Sequence, residues 1–222
     1  MRVHRTDPIK NARQKMVFTQ LKANGVTDKM LLNAFEKTPR EYFIPITSLS
    51  LAYSDSPIYC DITGRYLFPP HILGIFLQHL SLKRNDKVLV VGGNYGYTAT
   101  ILFEIGCIAY IVEPHPILIA KCREKLKKQN IAIESGPLMA GMKENSPYKA
   151  IIIELGLISV PDSVVKQLEE GGKIATCIVD NDQGSTKACV FEKTGGMLHK
   201  IFSIETNMPM CPEFSETQAF IF

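Results

Sequence analysis

The sequence lacks an excess of either charge: 25 Lys and Arg stand against 22 Asp and Glu, leaving +3 at neutral pH. That balance gives no strong field of the kind that nucleic acid or an anionic membrane surface recruits, so neither partner is expected. No C-x-x-C pair is present. The six cysteines, Cys60, Cys107, Cys122, Cys177, Cys189 and Cys211, are scattered, and four of them lie in apolar or helix-periodic stretches. Thiols in such stretches pack as small hydrophobes, which fits a reducing cytoplasm. Cys177 and Cys189 are expected on adjacent strands as a reduced pair.

No apolar run approaches the roughly 18 residues of a membrane span, and "MRVHRTDPIKNARQ" has no apolar centre of the kind a leader needs, so the expectation is a soluble protein. Five histidines show no H-E-x-x-H spacing, so no metal is implied. A G-x-S-x-G elbow is missing, and Gly172-Lys173 has neither the earlier glycine nor the following Ser or Thr of a phosphate loop. The basic run "KCREKLKKQN" reads as the solvated face of a helix, with Glu124 offsetting Lys128 at i,i+4 spacing. No feature specifies an oligomeric state.

What is present is a change of pattern along the chain. Met16, Val17, Leu21 and Ala23 recur at helical spacing before the stop at Asn24-Gly25, and a second helix over "DKMLLNAFEKT" is capped by Thr27 or Asp28 and ended by Pro39. From Arg40 to Pro70 prolines and aromatics interrupt any period, which predicts a long loop region fixed by packing.

From Lys87 onward, apolar runs alternate with helices: "KVLVV", a helix near 97–104, "IAYIVE", a helix near 117–129, "IAIE", "YKAIIIEL", and a helix near 162–169. Continuous apolar strands separated by helices indicate an α/β fold with a parallel sheet covered on both faces. Gly171-Gly172 then turns the chain into "KIATCIVD", and "TKACVFEK" and "LHKIFSIET", joined through "TGG", predict an antiparallel pair at the sheet edge. A length of 222 residues fits one domain, 1–222.

The stretch "VLVVGGNYGYTAT" carries the strongest chemical signal. Gly92, Gly93 and Gly96 occupy a strand-to-helix turn, where backbone N–H groups converge on a helix N-terminus and ligands of open α/β sheets bind. Glu113 closes the next strand, roughly 20 residues on, where an acid accepts hydrogen bonds from ribose hydroxyls. Turn chemistry alone is the competing explanation for the glycines. The dinucleotide pattern G-x-G-x-x-G does not fit, because Asn94 and Tyr97 stand where its second and third glycines belong, which counts against a nicotinamide-dependent oxidoreductase.

Over nearly the whole chain the sequence resembles the protein-L-isoaspartate O-methyltransferases, within the S-adenosylmethionine-dependent methyltransferases. "ARQKMVFTQLKANGVTDKMLLNAFEKTPREYFIP" is similar to that family's N-terminal helices and "PRE-F-P" segment, and "LAYSDSPI" to its "AY-D-P" stretch. "KVLVVGGNYGYTATIL" stands where the family has a "VLEIGTGSGYQAAVL"-like loop, and "SPYKAIII" and "VPDSVVKQLEEGGKI" match the family's later segments.

The resemblance implies a doubly wound, Rossmann-like, seven-stranded and mostly parallel sheet with a reversed last hairpin. Residues 1–82 would be an N-terminal helical and substrate-side extension, and 83–222 the S-adenosylmethionine-binding core. It implies methylation of isoaspartyl carboxylates in proteins or peptides, a repair step. The cofactor side would comprise Gly92, Gly93, Asn94, Gly96, Glu113 and Gly136.

The sequence departs from the family at particular places. The stretch G-x-T-I-S-x-P reads "GRYLFPP" here, with Tyr66 at the threonine position and Phe68 at the serine position. Tyr66 and Thr63, the nearest remaining hydroxyls, are the catalytic candidates, and a packed aromatic is the alternative for Tyr66. Asn94 replaces the middle glycine, Pro137 the acid of a G-D-G-like turn, and "NMPMCPEF" a "VRFVP"-like segment. Asn94 tolerates the left-handed region but projects a side chain toward the cofactor. These replacements motivate a second expectation, a non-catalytic or retargeted binding protein on the same fold, in which the new side chains fill the pocket.

Overall fold

The computed structural model describes residues 7–60, 65–180 and 185–211. Its N-terminal part opens with helix α1 (Pro8–Met16), whose Asp7 side chain accepts from the Ile9 N–H as an N-cap should. The helix widens into a π-turn over Val17–Leu21 and tightens to a 3-10 turn at Lys22–Asn24, and Gly25 ends it in the left-handed region. Helix α2 (Lys29–Lys37) is capped by Asp28, whose carboxylate accepts from the Met30 and Leu31 N–H groups.

The irregular region contains two 3-10 turns and a short antiparallel hairpin, β1 (Ile58–Tyr59) with β2 (Tyr66–Leu67). Helix α3 (Pro70–Leu80) comes next, an element that periodicity did not single out. Its residues are apolar on nearly every side because it is buried on nearly every side, and an all-round apolar helix has no 3.6-residue alternation to read.

Then come β3 (Lys87–Val91), α4 (Tyr97–Glu104), β4 (Ile108–Val112), α5 (Pro116–Leu126), β5 (Ala132–Glu134), β6 (Tyr148–Leu157), α6 (Asp162–Val165), β7 (Leu168–Asp180), β8 (Ser185–Thr194) and β9 (Met197–Thr206). The seven strands β3–β9 form one sheet in the order β5-β4-β3-β6-β7-β8-β9. Strands β3 to β7 are parallel, β8 runs against β7, and β9 runs against β8. This is the expected α/β sheet with its reversed last hairpin. Thr176 pairs with Cys189 and Cys177 with Ala188 across β7 and β8, and all six cysteines are buried thiols.

Side chains alternate along β3: Val88 and Val90 join the core beneath α1–α5, whereas Leu89 and Val91 join a second core on the opposite face. That second face is covered thinly, by short turns around Leu138 and Met142 and by α6. The helix expected over 162–169 is therefore corrected to a single turn. Gln167 explains the early stop. Its side chain donates to the Ala140 and Ser163 carbonyls and accepts from the Met142 N–H, and its own carbonyl accepts from Tyr148 N–H, which draws the chain into the ladder at Leu168. Gly171 and Gly172 lie inside β7, where the register against β6 slips between Tyr148 and Ala150, so they form a bulge within the strand.

The chain leaves β3 toward one edge through β4 and β5 and returns to β6 on the other side of β3. The carboxyl ends of β3, β4 and β6 therefore meet at the place where open α/β sheets bind ligands.

Candidate active site

The turn after β3 is built as its glycines suggest. Gly92 has φ of 76° and Gly96, the N-cap of α4, has φ of 89°, a region that costs glycine little. Asn94 also takes the left-handed region, with φ of 49°. Gly93 lies against Ile111 of β4. Glu113 lies just beyond β4, its N–H donating to the Glu134 carbonyl and its Oε1 accepting from the His115 N–H at 3.2 Å.

Of the expected cofactor-side residues, Gly92 and Glu113 both meet Arg65, Gly93 and Gly96 face Ile111 and Leu126, and Asn94 turns to Tyr66 and Glu154. Gly136 lies against Val112, the residue before Glu113. It lines a cavity of about 440 Å³ with Pro114, Ser135, Pro137, Leu138 and Met139, which neither the turn 92–96 nor the Glu113 side chain lines.

The space in front of Glu113 is held by a residue that no motif pointed to. Arg65 Nη2 lies 3.2 Å from Glu113 Oε1, and both side chains are fully buried. Arg65 Nη1 would be 2.5 Å from a Cβ at Gly92, so the guanidinium is spread directly over the glycine turn. Its backbone is fastened too. The Arg65 carbonyl accepts from Cys60 N–H at 2.6 Å, and the next residue, Tyr66, is paired in the β1–β2 hairpin.

Asn94 aims inward, as its position required, and is fully engaged with protein. Its Nδ2 donates to the Tyr66 carbonyl at 3.0 Å and to Glu154 Oε2 at 3.1 Å. Thr98 on α4 donates to the other oxygen of Glu154. Glu154 sits in the carboxyl-terminal half of β6, and burial pushes its carboxyl up to about 7 against the opposing hydrogen bonds of Thr98 and Asn94 and the fields of Arg40 and Arg65. Arg40, also buried, donates from Nη2 to the Phe68 carbonyl at 2.6 Å and lies over the Tyr97 ring, 4.9 Å from its centroid.

Tyr66 and Phe68 are core residues. Tyr66 is fully buried and its hydroxyl donates to the Pro209 carbonyl at 2.9 Å; burial raises its pKa. Phe68 packs edge-on between Tyr66 and Phe76. Thr63 and Gly64 lie outside the described residues. The segment "NMPMC" closes this side: Met210 bridges to Gly156, and Cys211 N–H donates to the Gly156 carbonyl.

Two residues of this site carry a signal in the sequence. Glu154 is a lone carboxylate inside the apolar run "AIIIELGL", and an acid in a strand buried on both faces requires partners. Arg65 is the only Lys or Arg between Arg40 and Lys83, but its partner is 48 residues away, a distance no local pattern encodes.

In this structure the groups implied for the cofactor are engaged within the protein. The acid that would receive ribose hydroxyls receives a guanidinium, and the side chain at the middle-glycine position is tied to Tyr66 and Glu154.

Comparison with known proteins bears on the whole chain. The family described as Protein-L-isoaspartate(D-aspartate) O-methyltransferase (PCMT) matches residues 12–207. The Protein-L-isoaspartate O-methyltransferase of Petrotoga mobilis is 33% identical over 211 residues, 93% of this chain and 92% of that protein. Protein-L-isoaspartate O-methyltransferase 2 of an Anaeromyxobacter species is 33% identical over 165 residues, 73% of this chain and 68% of the relative.

Among solved structures, a protein-L-isoaspartate O-methyltransferase superposes with a TM-score of 0.79 at 25% identity, covering 90% of this chain, which spans 65% of that one. A putative enzyme of that name from Plasmodium falciparum, solved in complex with S-adenosyl-L-homocysteine, superposes with a TM-score of 0.74 at 18% identity over 90% of this chain and 98% of its own; at that identity the likeness is one of fold. The match runs from the first helices through the glycine turn to the final strand, and so the chain belongs to the protein-L-isoaspartate O-methyltransferase family.

Proposed function

We propose that this chain recognises protein or peptide segments carrying isoaspartyl residues and methylates their carboxylates, with S-adenosylmethionine as donor, as a repair step. The observation that carries this reading is the continuity of the family match over residues 12–207. It takes in the N-terminal cover around Arg40 and Phe68 as well as the strand, glycine turn and Glu113, which supports a substrate side as well as a cofactor side in this chain. In this reading Gly92, Gly93, Asn94, Gly96, Glu113 and Gly136 form the cofactor side. Thr63 and Tyr66 are assigned to the substrate side, and the Tyr66 hydroxyl donates to the Pro209 carbonyl. The donor supplies an activated methyl group, and the protein aligns the acceptor and excludes water. The buried thiols support a reducing compartment, the cytoplasm.

A second reading, a family member that keeps the fold for binding without methyl transfer, is favoured by one observation, the buried Arg65–Glu113 pair in front of the glycine turn. Labelled methyl transfer from S-adenosylmethionine to an isoaspartyl peptide, with the aspartyl peptide as control, separates the two. Transfer selective for the isoaspartyl form supports the first reading. Absence of transfer at millimolar donor, with retained peptide binding, selects the second.

A further inference from the structure

We infer that Arg65 is an internal occupant of the cofactor position, and that ligand affinity at Glu113 is set by how readily its guanidinium leaves. The inference rests on the reading of Glu113 as the ribose-side acid of the family site.

Three observations converge on it. The guanidinium meets both halves of that site at once, with Nη2 on Glu113 and Nη1 against the backbone of Gly92 at a distance no Cβ would tolerate. Hydroxyls of a ribose need the same carboxylate oxygens, and a ligand backing onto the turn needs the same surface of Gly92. Guanidinium and ligand are therefore mutually exclusive.

The arginine is also delivered there by a fixed backbone. Its carbonyl accepts from Cys60 N–H, the carbonyl of the next residue accepts from Asn94 Nδ2, and the Tyr66 hydroxyl is held by Pro209. To clear the site the side chain must leave while its main chain stays, or the hairpin must come away from Asn94.

Finally, the pair is fully buried. A guanidinium withdrawn from Glu113 strands two charges in a low-dielectric interior, which strongly favours the closed arrangement once it is formed. An open form populated at about 1% raises a ligand's apparent Kd about 100-fold.

The test is titration calorimetry of S-adenosylhomocysteine and S-adenosylmethionine into the unaltered chain, Arg65→Ala and Arg65→Gln, with thermal unfolding of each protein as a check of folding. The glutamine variant removes the charge and shortens the side chain while keeping a donor for Glu113, so it serves where the alanine variant does not fold. The expected result is weak binding by the unaltered chain, detected only toward millimolar ligand, and binding about 100-fold tighter in the folded variants.

Equal or weaker binding by the variants overturns the inference, as does the absence of binding in all three proteins. The outcome is separable from that of the proposed reaction. Tight binding by the variants without transfer to an isoaspartyl peptide removes the reaction and leaves the inference. Micromolar binding and transfer by the unaltered chain remove the inference and leave the reaction.

Discussion

Asn94 in the turn after β3 donates its side-chain amide to Glu154 on β6, 3.1 Å from Nδ2 to Oε2, and the same nitrogen reaches the carbonyl of Tyr66 at 3.0 Å. One side chain thus ties the glycine turn to the central strand and to the hairpin that carries Arg65. The asparagine is here a structural fastener.

Replacing Asn94 with glycine separates this role from conformation. Glycine accepts the φ of 49° at least as readily as asparagine, so the loss does not come from strain in the folded backbone. Asn94→Gly is expected to lower stability by about 1–3 kcal/mol, the range for bonds that include a charged acceptor. Urea unfolding at pH 8 measures it, and an unchanged midpoint would mean that the two bonds contribute nothing net.

The carboxyl of Glu154 predicts an unusual pH dependence. Its folded-state pKa is raised to about 7 from the ordinary 4.5, so the folded protein holds a proton that the unfolded chain releases. Between about pH 4.5 and pH 7 the folded state binds more protons, and stability falls as pH rises. The contribution of this one group is on the order of 3 kcal/mol. It is fully lost above pH 7, where the buried carboxylate is charged between Asn94, Thr98, Arg40 and Arg65. Unfolding midpoints collected from pH 4.5 to 8 should therefore decline relative to those of Glu154→Gln. Parallel curves for the two proteins would show that the carboxyl is not proton-linked.

The sheet and its turn were legible because they rest on local rules. "KVLVV" followed by Gly92 and Gly93, Tyr97–Glu104 as a helix, and Glu113 at the end of "IAYIVE" are each dictated by period and spacing within a few residues. Other features depend on contacts across the chain. Helix α3 shows no amphipathic stripe because the N-terminal helices bury one side and the sheet the other. The one-turn α6 is set by Gln167 reaching Ala140 and Met142. Arg65 looks like an ordinary loop cation until the hairpin and β4 bring it to Glu113. The site was thus half legible: the sequence placed the acid and the turn, and the fold supplied what faces them.

Tyr66 and Phe68 give a prediction about placing at their positions the hydroxyls that the family resemblance implies. Both side chains are buried to within 1% exposure, so Tyr66→Thr with Phe68→Ser removes two rings from the core. Each large-to-small change of this kind costs about 3–5 kcal/mol, enough together to unfold a domain of ordinary stability. Circular dichroism should show loss of the cooperative transition in the double variant. Tyr66→Phe removes only the bond to Pro209 and should cost about 1 kcal/mol. If the double variant folds with near-native stability, the two rings are not the core residues described above.

The closure over this side depends on a glycine as well. A Cβ on Gly156 would lie 2.4 Å from the Pro209 carbonyl oxygen, an atom of the main chain that cannot rotate away. The same carbonyl accepts from Tyr66, and Met210 and Cys211 bridge back to Gly156. Gly156→Ala therefore forces residues 207–211 off the end of β6 and deprives the Tyr66 hydroxyl of its acceptor. Overpacking of this type costs about 1–3 kcal/mol, and the loss is local because the β6–β7 ladder resumes at Cys177 and Ile178 whichever way the segment moves. Amide hydrogen exchange is the discriminating measurement. Cys211 N–H, held at 2.9 Å from the Gly156 carbonyl, should lose protection while amides of β3 and β4 keep theirs. Retained protection at Cys211 would mean that the segment accommodates the methyl group in place. Exposure of Tyr66 in the variant would tie the C-terminal segment to the hairpin that sets Arg65 over Gly92.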